Sequence, residues 1–452
     1  MTIQPTGPLP ARIMIVGEAP SEEDARKGFP FAGYSGTELT KMLAEANIQR
    51  GQCFVTTVVR TPPPGGMIDS FVAQRKSDIS PQHGIFRDKY CLPPVFEGTQ
   101  ILQREIELCQ PNIIIALGNL AMWALTGKWG ITSWRGSTLQ TDLQLSLDYR
   151  PKVIPAYSPA MVMRQWSWRP IAVMDFQRAF RASHSREYVK PARNFIVRPT
   201  FEAATSVLNQ LCSAAVSGPV KLSIDIETRA GHIACIGLGW SKSDAICIPL
   251  MCVEDKEGYW TLEQETALMY QLYSLLTHSN CHGIGQNFIY DAQYFHRHLM
   301  FLPRLERDTM LAHHSCFSNM QKGLDFLSSM YCEDHVYWKD DGKTWDEKTG
   351  EDQLWTYNCE DCVRTFEIDI GEQQTVDKLG VRAVHDFQQS LYGPVLRTMN
   401  KGIRVNVAKR QSFAMELMDE IAKRQTWINE VLGHELNIRS SKQMRDLFYD
   451  TF

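Results

Sequence analysis

The chain has 452 residues, 44% hydrophobic and 22% charged, with a formal net charge of −4. That length holds about three domains, and that composition excludes long disordered tracts. No apolar run approaches the ~20 residues of a membrane helix, and the first residues lack the basic stretch and apolar core of a secretory signal. A cytoplasmic protein with no membrane partner is expected. Charge is unevenly divided: residues 1–200 carry 23 Lys and Arg against 16 Asp and Glu, and the remainder 24 against 35. A basic half favours phosphate contact, whereas an acidic half suits a DNA-binding protein only where carboxylates hold cations.

In chain order, residues 11–17 read as a buried strand ending in a Gly turn, and residues 35–46 as a helix with Leu39, Met42, Leu43 and Ala46 at helical spacing. A β-branched strand at Cys53–Val59 is stopped by Pro62, Pro63 and Pro64. Residues 65–98 are polar and rich in Pro and Gly, which predicts a long loop. A helix follows at Ile101–Cys109, then strands at Asn112–Leu117 and Val153–Pro155. This alternation is that of an α/β domain. Residues 164–198 hold eight Lys or Arg, with Trp166, Trp168, Phe176 and Phe180 among them. The pattern reads either as a final helix with a solvated linker or as a DNA-contacting seam. A second α/β pattern opens at Val220, with strands at Lys221–Glu227, Ala234–Trp240 and Ala245–Leu250 and a helix at Leu262–Leu276. From about Asp386 the chain is mostly helical, with a β-like interruption at Gly402–Val405. The twelve cysteines include one CxxC, Cys359 and Cys362, with no second pair to complete a four-ligand zinc site, so both read as reduced thiols.

Asp225 and Glu227 lie two apart on a predicted strand, which places both carboxylates on one face beside apolar Leu222, Ile224 and Ile226. Burying two acids is costly unless cations neutralise them, and oxygen ligands suit Mg²⁺ or Mn²⁺. Asp291 opens an amphipathic helix after Gln286 and Asn287. Tyr357 and Asp361 are one helical turn apart. Four acids and a tyrosine are the parts of a two-metal hydrolytic site. One ion prepares a water, the other steadies the leaving 3′ oxygen, and Tyr357 orients the water.

The segments Leu222–Thr228, Asn287–Asp291 and Tyr357–Asp361 resemble the three exonuclease motifs of DEDD-type proofreading domains of the tyrosine subclass, as in bacterial and phage family A DNA polymerases. Asp308-Thr309-Met310 and Gly323-Leu324-Asp325 stand where that family starts two further helices. The resemblance covers about 180 residues. It implies a ribonuclease-H-like fold and two divalent metal ions on Asp225, Glu227, Asp291 and Asp361. It also implies catalytic help from Tyr357 and contacts to a single-stranded or frayed 3′ DNA end from Gln286, Asn287 and Thr228. The CxxC falls inside the third motif.

A second resemblance covers the first ~170 residues. Gly17–Pro20, Pro30–Gly36, Val55–Arg60, Leu117-Gly118 with Ala121, Arg135-Gly136 and Ser158-Pro159-Ala160 resemble, in order, the motifs of family 4 uracil-DNA glycosylases. A glycosylase must flip a base and read its edge. Where that family reads uracil with Asn, this chain has Thr57, which lacks the amide's two-sided contact. Where the family stabilises the departing base with His, this chain has Ser158. Of the four cluster cysteines only Cys91 fits, so no iron–sulfur cluster is expected. Glu18 and Phe31 remain, and the expected pocket of Glu18, Phe31, Thr57 and Ser158 binds DNA or a partner protein without excising uracil.

Ser390–Leu396, Gly402–Asn406 and Leu436–Gln443 resemble the entry to a family A polymerase domain, whose palm carboxylates are not present by Phe452. The expected arrangement is a glycosylase-like α/β domain (1–183), a basic linker (184–200), a 3′→5′ exonuclease domain (201–382) and the start of a polymerase domain (383–452). The rest of that polymerase would act in cis beyond residue 452 or in trans, alongside other replisome proteins, in a phage-infected bacterial cytoplasm. Two other readings stay open: an active uracil glycosylase with an accessory exonuclease, and a non-catalytic DNA-binding replisome module.

Overall fold

Short runs of Ile, Val and Ala build the first sheet. In the computed structural model, which describes residues 2–73, 75–254, 258–340 and 350–451, β1 (Ile13–Gly17) is followed by α1 (Tyr34–Glu45) and β2 (Phe54–Thr57). Next come α2 (Pro93–Cys109), β3 (Ile113–Leu117), α3 (Asn119–Thr126), β4 (Leu139–Gln140), β5 (Lys152–Ala156) and α4 (Arg169–Ala182). The strand order is β2-β1-β3-β5-β4, parallel except for β4. Ile113, Ile114 and Ile115 are fully buried, which follows from helices covering both faces. Each such side chain contributes about 1.5–3 kcal/mol.

The segment read as a long loop holds more structure than its composition predicts. Gly84–Phe86 pairs with Lys89–Cys91 as a two-stranded ribbon, and α2 begins at Pro93 rather than Ile101. Proline is tolerated there because the first turn of a helix has no acceptor for the missing N–H.

The second sheet comprises β6 (Asn194–Ile196), β7 (Val220–Arg229), β8 (His232–Gly239), β9 (Asp244–Pro249), β10 (Cys281–Gly285) and β11 (Leu305–Asp308), in the order β11-β10-β7-β8-β9-β6. Pairing is antiparallel through β7-β8-β9 and parallel elsewhere, the mixed sheet of a ribonuclease-H-like fold. Around it stand α5 (Phe201–Ser217), α6 (Leu262–Leu276), α7 (Ile289–Tyr294), α8 (Thr309–Cys316), α9 (Leu324–Tyr331), the long α10 (Asp352–Leu379) and α11 (Arg382–Ser390). α10 crosses β8 so closely that a Cβ on Gly237 would stand 2.4 Å from Asn358 Oδ1 and 2.6 Å from Cys362 Sγ. Cys359 and Cys362 are buried thiols packed with Cys235, Cys247 and Trp355.

Residues 1–392 form one unit and residues 393–452 another. The second unit contains α12 (Val407–Leu432), which buries no residue, and α13 (Ser441–Asp446). Residues 402–406 belong to no helix or strand. None of the described helices is long and apolar enough to cross a membrane.

The basic stretch 164–198 contains the expected final helix, α4, and most of its arginines bind protein. Arg169 pairs with Glu38 and Glu45, Arg193 with Glu360, and Arg198 with Asp352 and Glu254. Residues 194–196 of the expected linker are the edge strand β6. Arg178 is buried and donates to the carbonyls of Ser329, Cys332 and Glu333. Arg135 lies beside it, forming a two-pronged ion pair with Asp175 and donating to Ser329 Oγ at 2.7 Å. Both members of this pair are about 98–99% buried. Replacing Asp175 with Ala leaves the Arg135 guanidinium buried without a counter-charge, and the expected loss in urea denaturation is about 3–5 kcal/mol. A loss below about 1 kcal/mol would show that water reaches the pair.

Candidate functional site

β7 alternates Leu222, Ile224 and Ile226 into the core with Asp225 and Glu227 on the opposite face. α10 crosses that face and brings Asp361, so one oxygen from each of Asp225, Glu227 and Asp361 lies within 4.8 Å of the others. Asp291, at the start of α7, adjoins this trio; its Oδ1 accepts the Ile226 N–H at 3.0 Å. The structure thus brings three of the four expected ligands into one tight group and sets the fourth against the strand behind them.

Burial governs the electrostatics, and crowding adds to it. Burial raises the Asp225 carboxyl well above the carboxylate range, and Asp361, Glu227 and Asp291 raise it further. Burial, then Asp361, pushes Glu227 up to about 7. Asp291 is raised by burial, against the backbone N–H bonds that favour its charge.

Four groups outside the expected ligand set hold this arrangement. Asn358 donates to Asp225 Oδ2 at 2.8 Å. Trp338 Nε1 donates to Asp361 Oδ1 at 2.7 Å, and Lys339 Nζ lies 2.5 Å from Asp361 Oδ2 and 2.7 Å from the Tyr357 hydroxyl. Asp308 caps α8 and accepts from the N–H groups of Asn287 and Phe288, which fixes the turn that carries Asn287 with φ 53°. Asn358 was legible as the residue between Tyr357 and Asp361. Trp338 and Lys339 sit in an irregular segment with no periodic signal.

A cleft of about 470 Å³ is lined by Asp225, Gln286, Asn287, Lys339 and Asp361, among others. The Gln286 amide is anchored to the Lys322 carbonyl and the Thr309 hydroxyl. Thr228 is not among the residues lining this cleft; it follows Glu227 on β7, with its hydroxyl 3.0 Å from that of Tyr290.

In the first domain, Glu18, Phe31 and Ser158 line a pocket of about 290 Å³ together with Arg164. Phe31 has φ 54°, and Arg50 donates to its carbonyl and to that of Pro30. Glu18 accepts the Leu120 N–H at 3.0 Å, and burial pushes its carboxyl up to about 7. Gly118, with φ 97°, leaves that carboxyl room, since a Cβ there would lie 2.4 Å from its carbon. Thr57 is not part of the lining: it is buried, and its hydroxyl donates to the Val59 carbonyl at 2.7 Å. Ser158 Oγ caps the short helix Pro159–Arg164 by accepting the Met161 N–H.

Residues 4–182 match the family model of the uracil DNA glycosylase superfamily, and residues 202–370 that of the 3′-5′ exonuclease domain. The type-4 uracil-DNA glycosylase of Sulfurisphaera tokodaii is 30% identical over 177 residues, 37% of this chain and 68% of that protein. A DNA polymerase of Bacillus phage SP01 is 26% identical over 172 residues, 38% of this chain but 16% of the polymerase. Among solved structures, Escherichia coli RNase D aligns with a TM-score of 0.32 and 17% identity, covering 45% of this chain and 51% of that one. Through residues 4–182 the chain belongs to the uracil-DNA glycosylase superfamily, with a 3′-5′ exonuclease domain following in the same chain.

Proposed function

We propose that the chain is the proofreading part of a phage-type DNA polymerase, hydrolysing 3′-terminal phosphodiesters of single-stranded or frayed DNA to release deoxynucleoside monophosphates. The observation that carries this reading is the convergence of Asp225, Glu227 and Asp361 within 4.8 Å, with Asp291 against them and Tyr357 one turn from Asp361. An all-oxygen donor set with carboxyls raised by burial and by one another's charge fits hard divalent cations, Mg²⁺ or Mn²⁺. Held by Asp225, Glu227, Asp291 and Asp361, two such ions would activate water and neutralise charge at the leaving oxygen. The chain's own groups do the positioning. Asn358 fixes Asp225, Trp338 fixes Asp361, and the Tyr357 hydroxyl, held by Lys339, would orient a water. The cleft wall at Gln286 and Asn287 receives the terminal nucleotide.

The glycosylase-like domain is read as a DNA- or partner-binding module that does not excise uracil. Thr57 is turned to its own backbone and Ser158 caps a helix, so neither offers the amide or imidazole that base excision would use. Its retained pocket of Glu18, Phe31 and Arg164, and its membership of the superfamily, favour one competing reading, an active uracil glycosylase.

A 5′-labelled single strand incubated with Mg²⁺ or Mn²⁺ is expected to shorten from its 3′ end, and EDTA to stop it. The Asp225→Ala/Glu227→Ala double variant is expected to lose about a thousandfold or more in rate. Full activity in that variant would refute the assignment. Uracil-containing DNA treated with the protein in EDTA is expected to show no alkali-labile sites, and their appearance would establish the glycosylase instead.

Stability should follow the carboxyl crowding. A carboxyl raised in the folded chain binds its proton more tightly there, so its stabilising effect is full below the unfolded value and is lost as pH rises through the folded one. With Glu227 and Glu18 both raised to about 7, the metal-free protein is expected to lose melting temperature between about pH 5 and pH 8. Asp225→Asn is expected to flatten that slope. Mn²⁺ at a hundred times its Kd is expected to add about 2.7 kcal/mol to the wild type and much less to the variant. Equal slopes in wild type and variant would contradict the crowding.

A further inference from the structure

The irregular segment between α9 and the end of the described stretch, residues 332–340, joins the first domain to the carboxylates of the second. At its start, Arg178 of the glycosylase-like domain donates to the carbonyls of Ser329, Cys332 and Glu333 at 2.8, 2.9 and 2.5 Å. In its middle, the Thr138 N–H donates to the His335 carbonyl at 2.8 Å, and the Tyr337 N–H donates to Ser137 Oγ at 3.0 Å. The ring of Trp134 meets that of Tyr337 edge-on at 5.1 Å. At its end, Trp338 and Lys339 occupy both oxygens of Asp361, and Lys339 also holds the Tyr357 hydroxyl. The exonuclease domain adds anchors of its own, from Arg364 to the Asp334 carbonyl and from the Glu333 N–H to Glu367. An irregular segment without ladder hydrogen bonds takes its shape from such side-chain and cross-domain bonds. Residues 134–138, which run from the end of the short helix Ile131–Trp134 to β4, are therefore part of what places Lys339.

We propose that the glycosylase-like domain is a structural part of the exonuclease site. By clamping residues 332–337 it fixes Lys339 as a positioning residue, which ties Tyr357 to Asp361 and sets a resident positive charge against the Asp225, Glu227 and Asp361 trio. This rests on the exonuclease reading above. An ammonium at that place neutralises part of the carboxylate charge and competes with a divalent cation for Asp361, while holding the Tyr357 hydroxyl in register with the cleft. The positively charged domain thus acts on the nuclease through backbone and side-chain contacts at the interface, independently of any base in its own pocket.

The test uses the full chain in four forms: wild type, Lys339→Met, Lys339→Arg, and Trp134→Ala/Ser137→Ala in the glycosylase-like domain. Free Mn²⁺ is followed by electron paramagnetic resonance, and exonuclease kcat and KM are measured on a labelled single strand. Lys339→Met is expected to bind Mn²⁺ about five- to tenfold more tightly and to lose about tenfold in kcat with KM within about twofold, and Lys339→Arg to recover part of that kcat. The Trp134→Ala/Ser137→Ala variant is expected to shift both readouts the same way by a smaller factor, and to cause no further shift when combined with Lys339→Met. Ser137→Ala alone, which removes one hydroxyl, replaces the pair should the double variant not fold. Unchanged Mn²⁺ binding in Lys339→Met, or losses that multiply when the two changes are combined, would overturn the proposal. A wild type that shortens no DNA would refute the exonuclease reading instead, and the Mn²⁺ titration would still decide the placement of Lys339.

Discussion

Like charges held together against their repulsion are the constraint on which the exonuclease domain turns. Asp225 and Glu227 share a face of β7 because a strand alternates its side chains, and Asp361 meets them because α10 crosses that face. The close crossing depends on Gly237, where any Cβ would strike Asn358 and Cys362. Asn358 then donates to Asp225, so the contact that brings the helix near also steadies one of the acids. Neutral donors from Asn358 and Trp338 orient the carboxylates, Lys339 offsets part of the charge, and the carboxyls remain raised.

The two domains of the first unit meet through buried charge rather than through an apolar seam alone. Arg135 and Arg178 face Asp175 on one side and the carbonyls and hydroxyl at the end of α9 on the other. Satisfying a guanidinium's donors requires several acceptors in a fixed arrangement, so these arginines specify one docking geometry more sharply than aliphatic contact would. Arg135 belongs to the Arg-Gly pair by which the first domain resembles family 4 glycosylases. In this chain that guanidinium is bonded to Asp175 and across the domain boundary to Ser329.

The basic excess of residues 1–200 has the same explanation in part. Read as a linear run, Arg169, Arg178, Arg193 and Arg198 look available to phosphate. In the fold each faces a carboxylate or carbonyl distant in sequence, such as Glu38, Glu333, Glu360 or Asp352. Composition registers the charge of a side chain but not its partner, and these partners lie 131 to 167 positions away.

What the sequence determined by itself is the local alternation and the motif chemistry. The α/β class, β7 with its paired acids, and the Tyr357–Asp361 spacing on one helix face follow from periodicities of two and 3.6 residues, which short-range sterics enforce, whereas the ribonuclease-H-like class came from the resemblance of the three motifs to a known family. The two helices opening at Thr309 and Leu324 were legible only through that resemblance. What only the tertiary structure decided is whatever depends on contacts between distant segments. Composition concealed the ribbon at Gly84–Cys91 and the early start of α2, because their strands and prolines are stabilised by neighbours rather than by propensity. Thr57 stood in line with a base-reading position, yet its hydroxyl turns to Val59. Trp338 and Lys339 carried no signal at all, since an irregular segment has no period, and its course is set by the partners it finds across the domain boundary.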